Sequence, residues 1–301
     1  MGEARNKRNR IAKGACACGS QKIADECCFL NGTWHKRPSA ISLGSVDCRK
    51  ANDGCYLRDY GSCSTKLSRE HLVSEAVLRV IKKEGLVVSG FPWMNGEKRE
   101  IGIANLVAKC LCKSHNSALS DLDAAAANLF SAIEAGDVGR SGPPIHRLVS
   151  GHDIERWFLK TLLAFAHSRN LAQNGKPLLP VFHSKIDVAD MLQDPSTWPE
   201  GSGLYFMHRV GDEFRRGDHF EFAPLTLSST GEIVGMLAKV QGLSFSFFAV
   251  PLDDSEKMKT VGTLHRPRKL LFKFKNKTNV VELSWEDNRL HGRVEMDFAS
   301  T

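Results

Sequence analysis

The sequence predicts an α+β fold, and three features carry that expectation. All nine cysteines lie at or before Cys112, so residues 113–301 contain none. Two stretches repeat apolar residues at helical spacing: Leu122, Ala125, Ala126, Leu129 and Ile133, and later Ile154, Trp157, Phe158, Leu162 and Phe165. From Gly203 onward the chain breaks into short β-rich runs separated by turn residues. The expected organisation is a basic leader and metal knuckle (1–44), a cysteine-bearing helix-and-strand domain (45–140), and a C-terminal helix plus antiparallel β-sheet domain (141–301).

Bulk properties narrow the class. The chain has 301 residues, 42% apolar and 25% charged, which is the balance of a soluble globular protein. No apolar run approaches the ~18 residues of a membrane span, so no membrane partner is expected. The leader "MGEARNKRNRIAKG", with Arg5, Lys7, Arg8, Arg10 and Lys13, is basic but has no apolar core like that of a secretory signal. A cytoplasmic location is the default expectation. Thiols in such a compartment are metal ligands more often than disulfides. The net charge of +7 suits a polyanionic partner such as nucleic acid.

The first cysteine cluster, "CACGSQKIADECC", offers Cys16, Cys18, Cys27 and Cys28. Four thiolates in so short a stretch can close around one tetrahedral Zn²⁺. So small a segment has no core of its own, and metal binding supplies its folding energy, roughly 10–16 kcal/mol at such sites. The residues Cys16, Cys18, Gly19, Ser20, Lys22, Cys27 and Cys28 resemble the SEC-C motif, first described at the end of the SecA translocase. That resemblance implies an accessory docking element for protein or nucleic acid.

The second group is dispersed. "CYLRDYGSCSTKLSREHLVSEAVL" carries Cys55, Cys63 and the pair Glu70-His71, and "IANLVAKCLCKSHNSALSDLD" carries Asn105, Cys110, Cys112, His115 and Asn116. Cys112 and His115 can present two zinc ligands from a turn and a helix start, with Cys55 and Cys63 supplying the others. Cys48 and Cys110 are left over, and either can replace one of the four. Asn116 follows His115 by about 100° around the helix and points away from the zinc. Between the two halves, "SEAVLRVIKKEG" reads as a helix and "GFPWMNGEKREIGI" as a hairpin insertion. Gly136 is the expected stop of the alanine-rich helix, and Asp121 and Asp123 are expected to be solvated helix positions, with outer-shell carboxylates as the alternative.

From about Cys55 to Asp123 the pattern resembles the HNH endonucleases, the ββα-metal group, with "REH" as the first element and "CKSHN" as the last. By that resemblance His71 is the general base. Glu70 and Asn116 bind one catalytic Mg²⁺ or Mn²⁺, and Asn105 ties the loop backbone. The residue types suit phosphodiester hydrolysis, which needs a base titrating near neutrality and a charge-stabilising cation. DNA is the substrate the family implies more often than RNA. Bacterial chains of this build often serve phages or anti-phage defence, which is an association only. The alternative is a non-catalytic zinc adaptor that binds nucleic acid or protein.

In the C-terminal half, "SGPPIHRL" reads as a linker and "GHDIERWFLKTLLAFAHSRN" as an amphipathic helix, with His152 and His167 structural. "RPRKLLFKFKNK" sets Phe272 and Phe274 against Lys273 and Lys275. Such a strand can track a phosphate backbone, or it can be an edge guarded by lysines. This half, like the knuckle, is a candidate surface for a protein partner.

Overall fold

The computed structural model describes residues 2–44, 51–81, 86–89, 91, 94, 97–138, 143–170, 172–173, 176–177, 181–207, 213–214, 217, 219–251, 263–274, 276–287 and 289–298. The leader is helix α1 (Gly2–Ala12), and the knuckle behind it contributes a small ribbon, β1 (Phe29–Leu30) with β2 (Thr33–Trp34). Then follow β3 (Glu70–His71), α2 (Glu75–Ile81), β4 (Leu86–Ser89), β5 (Arg99–Ile101), β6 (Val107–Ala108), α3 (Lys113–Ala118) and α4 (Ser120–Val138). The C-terminal half begins with β7 (His146–Ser150), α5 (Gly151–His167), the short pair β8 (Ala172–Gln173) and β9 (Lys176–Pro177), and α6 (Val188–Gln193). It continues with β10 (Gly203–Met207), β11 (Glu213–Phe214), β12 (His219–Thr226), β13 (Ile233–Val240) and β14 (Leu243–Phe248). The last four strands are β15 (Thr263–His265), β16 (Lys269–Phe274), β17 (Lys277–Ser284) and β18 (Arg293–Phe298).

Two sheets dominate. One has seven strands in the order β15-β10-β14-β13-β12-β4-β5, and the other has five in the order β11-β18-β16-β17-β7. The α+β class is as expected, but neither sheet is purely antiparallel. β4 joins β12 in parallel, and β7 joins β17 in parallel. In both cases the joining strand comes from far back in the chain, and long connections permit parallel pairing. The hairpin expected within residues 90–103 is formed instead by β4, which lies before that stretch, and β5, and it extends the larger sheet. The expected linker at 141–148 instead contains the start of β7. One continuous core runs from Ile41 to Met296, across the 140/141 boundary expected from sequence.

Helix α5 explains that continuity. Its apolar residues Ile154, Trp157, Phe158, Leu162 and Phe165 are all fully buried. Phe158 stacks near Phe247 at 5.9 Å and Phe165 on Phe222 at 3.9 Å, while the same helix also contacts β17 and β7. Each such aromatic buried contributes about 1.5–3 kcal/mol. The helix is not amphipathic in place, because every residue from Gly151 to Ala166 is buried. Much of its polar stripe is paired internally, although His152 Nδ1 and Arg156 Nε have no hydrogen-bond partner. Glu155 accepts from Arg266 Nε at 2.8 Å and Nη2 at 3.0 Å, and from the Leu204 amide at 2.8 Å. A β-carbon at Gly203, whose φ is +116°, would fall 2.1 Å from that carboxylate, so the close approach requires glycine. His152 accepts from the Glu286 amide, and His167 stacks on Tyr56, so both histidines are structural as expected.

The segment after the knuckle also departs from expectation. Its Gly, Pro and Ser residues suggest a linker, yet residues 36–43 form a strap built into the core. The Lys36 amide donates to Ser284 Oγ, the Ser39 amide and hydroxyl donate to Asp153, and Arg156 donates to the Ser39 carbonyl. Ile41 and Leu43 are buried. Helix α4 runs past Gly136 to Val138 because it packs along α2 and α5. Strand β16 is interior, flanked by β17 and β18, so it is not an edge. Its Lys269 and Lys273 pair with Glu282 and Glu295, which accounts for the lysines without a phosphate backbone. Lys275 lies outside the described residues. No helix among them is long and apolar enough to cross a membrane.

Candidate functional site

Two groups of thiols and imidazole converge in space. Cys16, Cys18, Cys27 and Cys28 place their sulfurs within 4.8 Å of one another, with Cys18 and Cys27 at 3.7 Å and Cys27 and Cys28 at 3.5 Å. Cys55, Cys63, Cys112 and His115 do the same, with Nδ1 of His115 lying 3.3, 3.7 and 3.4 Å from the three sulfurs in that order. A tetrahedral ion with metal–sulfur bonds of about 2.3 Å and a metal–nitrogen bond of about 2.0 Å requires S···S near 3.8 Å and S···N near 3.6 Å. Both donor sets fit. Nε2 of His115 lies 3.2 Å from the Leu43 carbonyl. Donation to that oxygen leaves Nδ1 as the metal-facing lone pair, as an outer partner of a ligand histidine does. Cys110 is buried but stands outside the four, and burial pushes its thiol up to about 12. Cys48 lies outside the described residues.

The second cluster fixes a ribbon and a helix against each other. β3 pairs antiparallel with β6, Glu70 opposite Ala108 and His71 opposite Val107. Leu67 bridges to Cys112, which is the residue at the start of α3. The metal ligands therefore sit at the junction that sets α3 relative to β3.

Adjacent residues on a strand face opposite ways, and Glu70 and His71 have opposite surroundings. His71 lines an open cavity of about 520 Å³ with Arg69, Glu75, Arg79, Val107 and the loop Gly102–Ala104. Its Nδ1 lies 3.8 Å from Glu75 Oε2, and Glu75 in turn pairs with Arg79. Burial lowers the His71 imidazole from its ordinary value, and Arg79 and Arg69 add to that, against the opposite pull of Glu75 and Asp123. That direction favours the neutral imidazole, the form a general base needs.

Glu70 turns inward. Its Oε1 lies 2.9 Å from Lys160 Nζ, which lies 2.6 Å from Asp123 Oδ2. Burial pushes both carboxylic acids up, and Lys160 opposes the shift. Burial alone would lower the Lys160 ammonium, but Asp123 and Glu70 outweigh it and hold it above the ordinary lysine value. The three form a buried ionic cluster.

The expected site is thus only partly assembled. The four ligands Cys55, Cys63, Cys112 and His115 come together, and so do Cys16, Cys18, Cys27 and Cys28. The divalent ion expected on Glu70 and Asn116 does not fit, because the Glu70 carboxylate is already held by an ammonium. Asn116 is half-buried on α3, and among the described residues no hydrogen bond joins it to Glu70 or His71. Asn105 is exposed in a short 3₁₀ turn before β6, with its backbone amide on the Gly102 carbonyl. Among the described residues no side-chain hydrogen bond ties Asn105 to the loop backbone, the role the resemblance implies. Asp121 is exposed as expected, whereas Asp123 is only 21% exposed and pairs with Lys160. Sequence reasoning missed Lys160 and the arginine pair. A signal existed for the lysine, since Asp153, Arg156 and Lys160 share one stripe of an otherwise apolar helix.

Comparison with protein-family models, with curated proteins and with solved structures finds no match for this chain.

Proposed function

We propose that this chain hydrolyses phosphodiester bonds in nucleic acid in the manner of an HNH endonuclease, with His71 as general base and Zn²⁺ in both cysteine clusters. The observation that carries the reading is the placement of His71. Burial holds its imidazole below the ordinary value, and it lines an open cavity with Arg69 and Arg79. A strand ribbon and a helix pinned by four metal ligands hold it there. His71 takes the proton from an attacking water. Arg69 and Arg79 offset the phosphate charge, a role that suits guanidinium forks. The zinc ions are structural, since four protein ligands leave no open position. DNA is the proposed substrate, with RNA as the second arm of the test. A role in anti-phage defence and a protein partner at the knuckle are further parts of the proposal.

A second reading has one specific observation in its favour. Glu70, the acid of the pair, is locked to Lys160, as suits a zinc adaptor that binds without cutting. One experiment separates the two. Supercoiled plasmid and single-stranded RNA are incubated with the wild type and with His71→Ala, with no added metal, with Mg²⁺ and with Mn²⁺. Cleavage that falls by on the order of 10²–10⁴ in a folded His71→Ala chain supports the nuclease. Equal cleavage by both proteins, or none by either, removes it.

A further inference from the structure

We infer that Lys160 Nζ is the built-in cation of the Glu70–Asp123 acid pair, occupying by a side chain the place a divalent ion would otherwise take. The inference goes beyond the proposed hydrolysis and does not depend on it. Three elements contribute to the cluster: β3 supplies Glu70, α4 supplies Asp123 and α5 supplies Lys160. Nζ lies 2.9 Å from one carboxylate and 2.6 Å from the other. These are charge-assisted hydrogen-bond lengths, and an ammonium has donors for both.

The surroundings suit an ammonium and oppose a hydrated ion. Mg²⁺ sits about 2.0–2.1 Å from its oxygens and usually keeps several waters. The side chains of Lys160 and Glu70 are only 4% and 6% exposed, which leaves little room for a hydration shell between them, while Asp123, at 21%, reaches solvent on one side. Cys110 is buried, and the hydroxyl of half-buried Tyr56 is shut off from solvent without a hydrogen-bond partner; both interact electrostatically with Glu70. The Glu70 side of the cluster is therefore largely closed to solvent. Lys160 also cannot leave by a movement of its backbone, because α5 is buried from Gly151 to Ala166. The charge count gives the pair a standing need for a cation. With two acids and one ammonium the carboxyl groups outnumber the cation, and Asp123 Oδ1 is buried without a hydrogen-bond partner. Removing the ammonium would leave two carboxyl groups facing each other across the space of a lysine side chain, where protonation or a small dication can replace the lost charge.

The test reads metal binding without any substrate, so its result is separate from whether the chain cuts nucleic acid. The full chain, carrying its structural metal, is titrated with Mn²⁺, and free Mn²⁺ is followed by electron paramagnetic resonance. Wild type and Glu70→Gln should give superimposable titrations. Lys160→Ala should gain one Mn²⁺ held at least tenfold tighter than any in wild type, and Glu70→Gln added to Lys160→Ala should abolish it. A Mn²⁺ that wild type holds and Glu70→Gln loses overturns the inference. So does a folded Lys160→Ala chain that gains none. If Lys160→Ala does not fold, the comparison of wild type with Glu70→Gln decides, in the same terms.

Discussion

The two cysteine clusters use the same chemistry in different mechanical settings. Cys16, Cys18, Cys27 and Cys28 close a short local loop, and Cys18 and Cys27 remain half-exposed. Among the described residues their apolar company is a satellite cluster with Ala17, Leu148 and Trp34. Cys55, Cys63, Cys112 and His115 are all buried, belong to distant parts of the chain and adjoin the main core. A metal in the first cluster folds itself. A metal in the second closes long loops whose ends are otherwise costly to bring together. Ligand identity therefore does not fix what an ion does for stability. That depends on where its ligands lie in the chain and on what leans against them.

The sharpest way to break the comparison is to remove one ligand from each cluster. Cys112→Ser should be the most damaging single change. It opens the second cluster, frees α3 and leaves His115 buried without its metal, so melting temperature and metal content should fall together. Metal analysis should find close to one ion per chain in place of two, and thermal unfolding should start well below wild type. A Cys112→Ser chain that melts like wild type would make the second cluster incidental to the core.

The strap comes next. A chain beginning at Ser45 loses Ile41 and Leu43 from the core, the Ser39 contacts to Asp153 and Arg156, and the Leu43 carbonyl that His115 faces. It should fail to fold as a cooperative unit, judged by thermal melting and near-ultraviolet circular dichroism. A chain beginning at Thr33 keeps the strap and should fold. It should, however, tend to self-associate, since the Ala17 carbonyl now accepts from the Leu148 amide on β7, a strand at the sheet edge. Light scattering checks this. Equal behaviour of the two shortened chains would mean that the strap is a linker after all.

Cys27→Ser should be milder than either. It opens a half-exposed cluster that the main core does not use, so one metal ion should be lost with a melting shift of at most a few degrees. A collapse as large as that of Cys112→Ser would erase the distinction between the clusters.

What could be read from the sequence follows the same division. The first cluster is legible because its ligands are adjacent, and the second because Cys112 and His115 start a helix. The α5 apolar positions and the C-terminal strands show directly in periodicity. The strap was hidden because proline and serine look alike whether they cross solvent or a core; hydrogen bonds to Asp153 and Ser284 come from residues far away in the chain. The parallel joining of β4 and β7 was hidden for the same reason. At the site, His71 was legible as a candidate base. The inward turn of Glu70 was not, because the partner that holds it lies on α5, and a lysine inside an apparently amphipathic helix reads as solvated.

The smallest effect on stability is expected at His71, which makes it the cleanest probe of chemistry apart from structure. Its imidazole is held below the ordinary value of 6.5 in the folded chain, first by burial. Between that lowered value and the unfolded one, the unfolded chain binds more protons, so the folded state loses a little stability as pH falls through this window and regains it above. His71→Ala should remove that slope and leave the melting temperature near pH 7.5 almost unchanged. Hydrolysis behaves differently. A general base must be neutral, so the rate should rise with pH through a single value below 6.5 and then level off. Measuring melting and plasmid cleavage over the same pH series tests both parts. A rate that still climbs above pH 7.5 would show that some group other than His71 takes the proton.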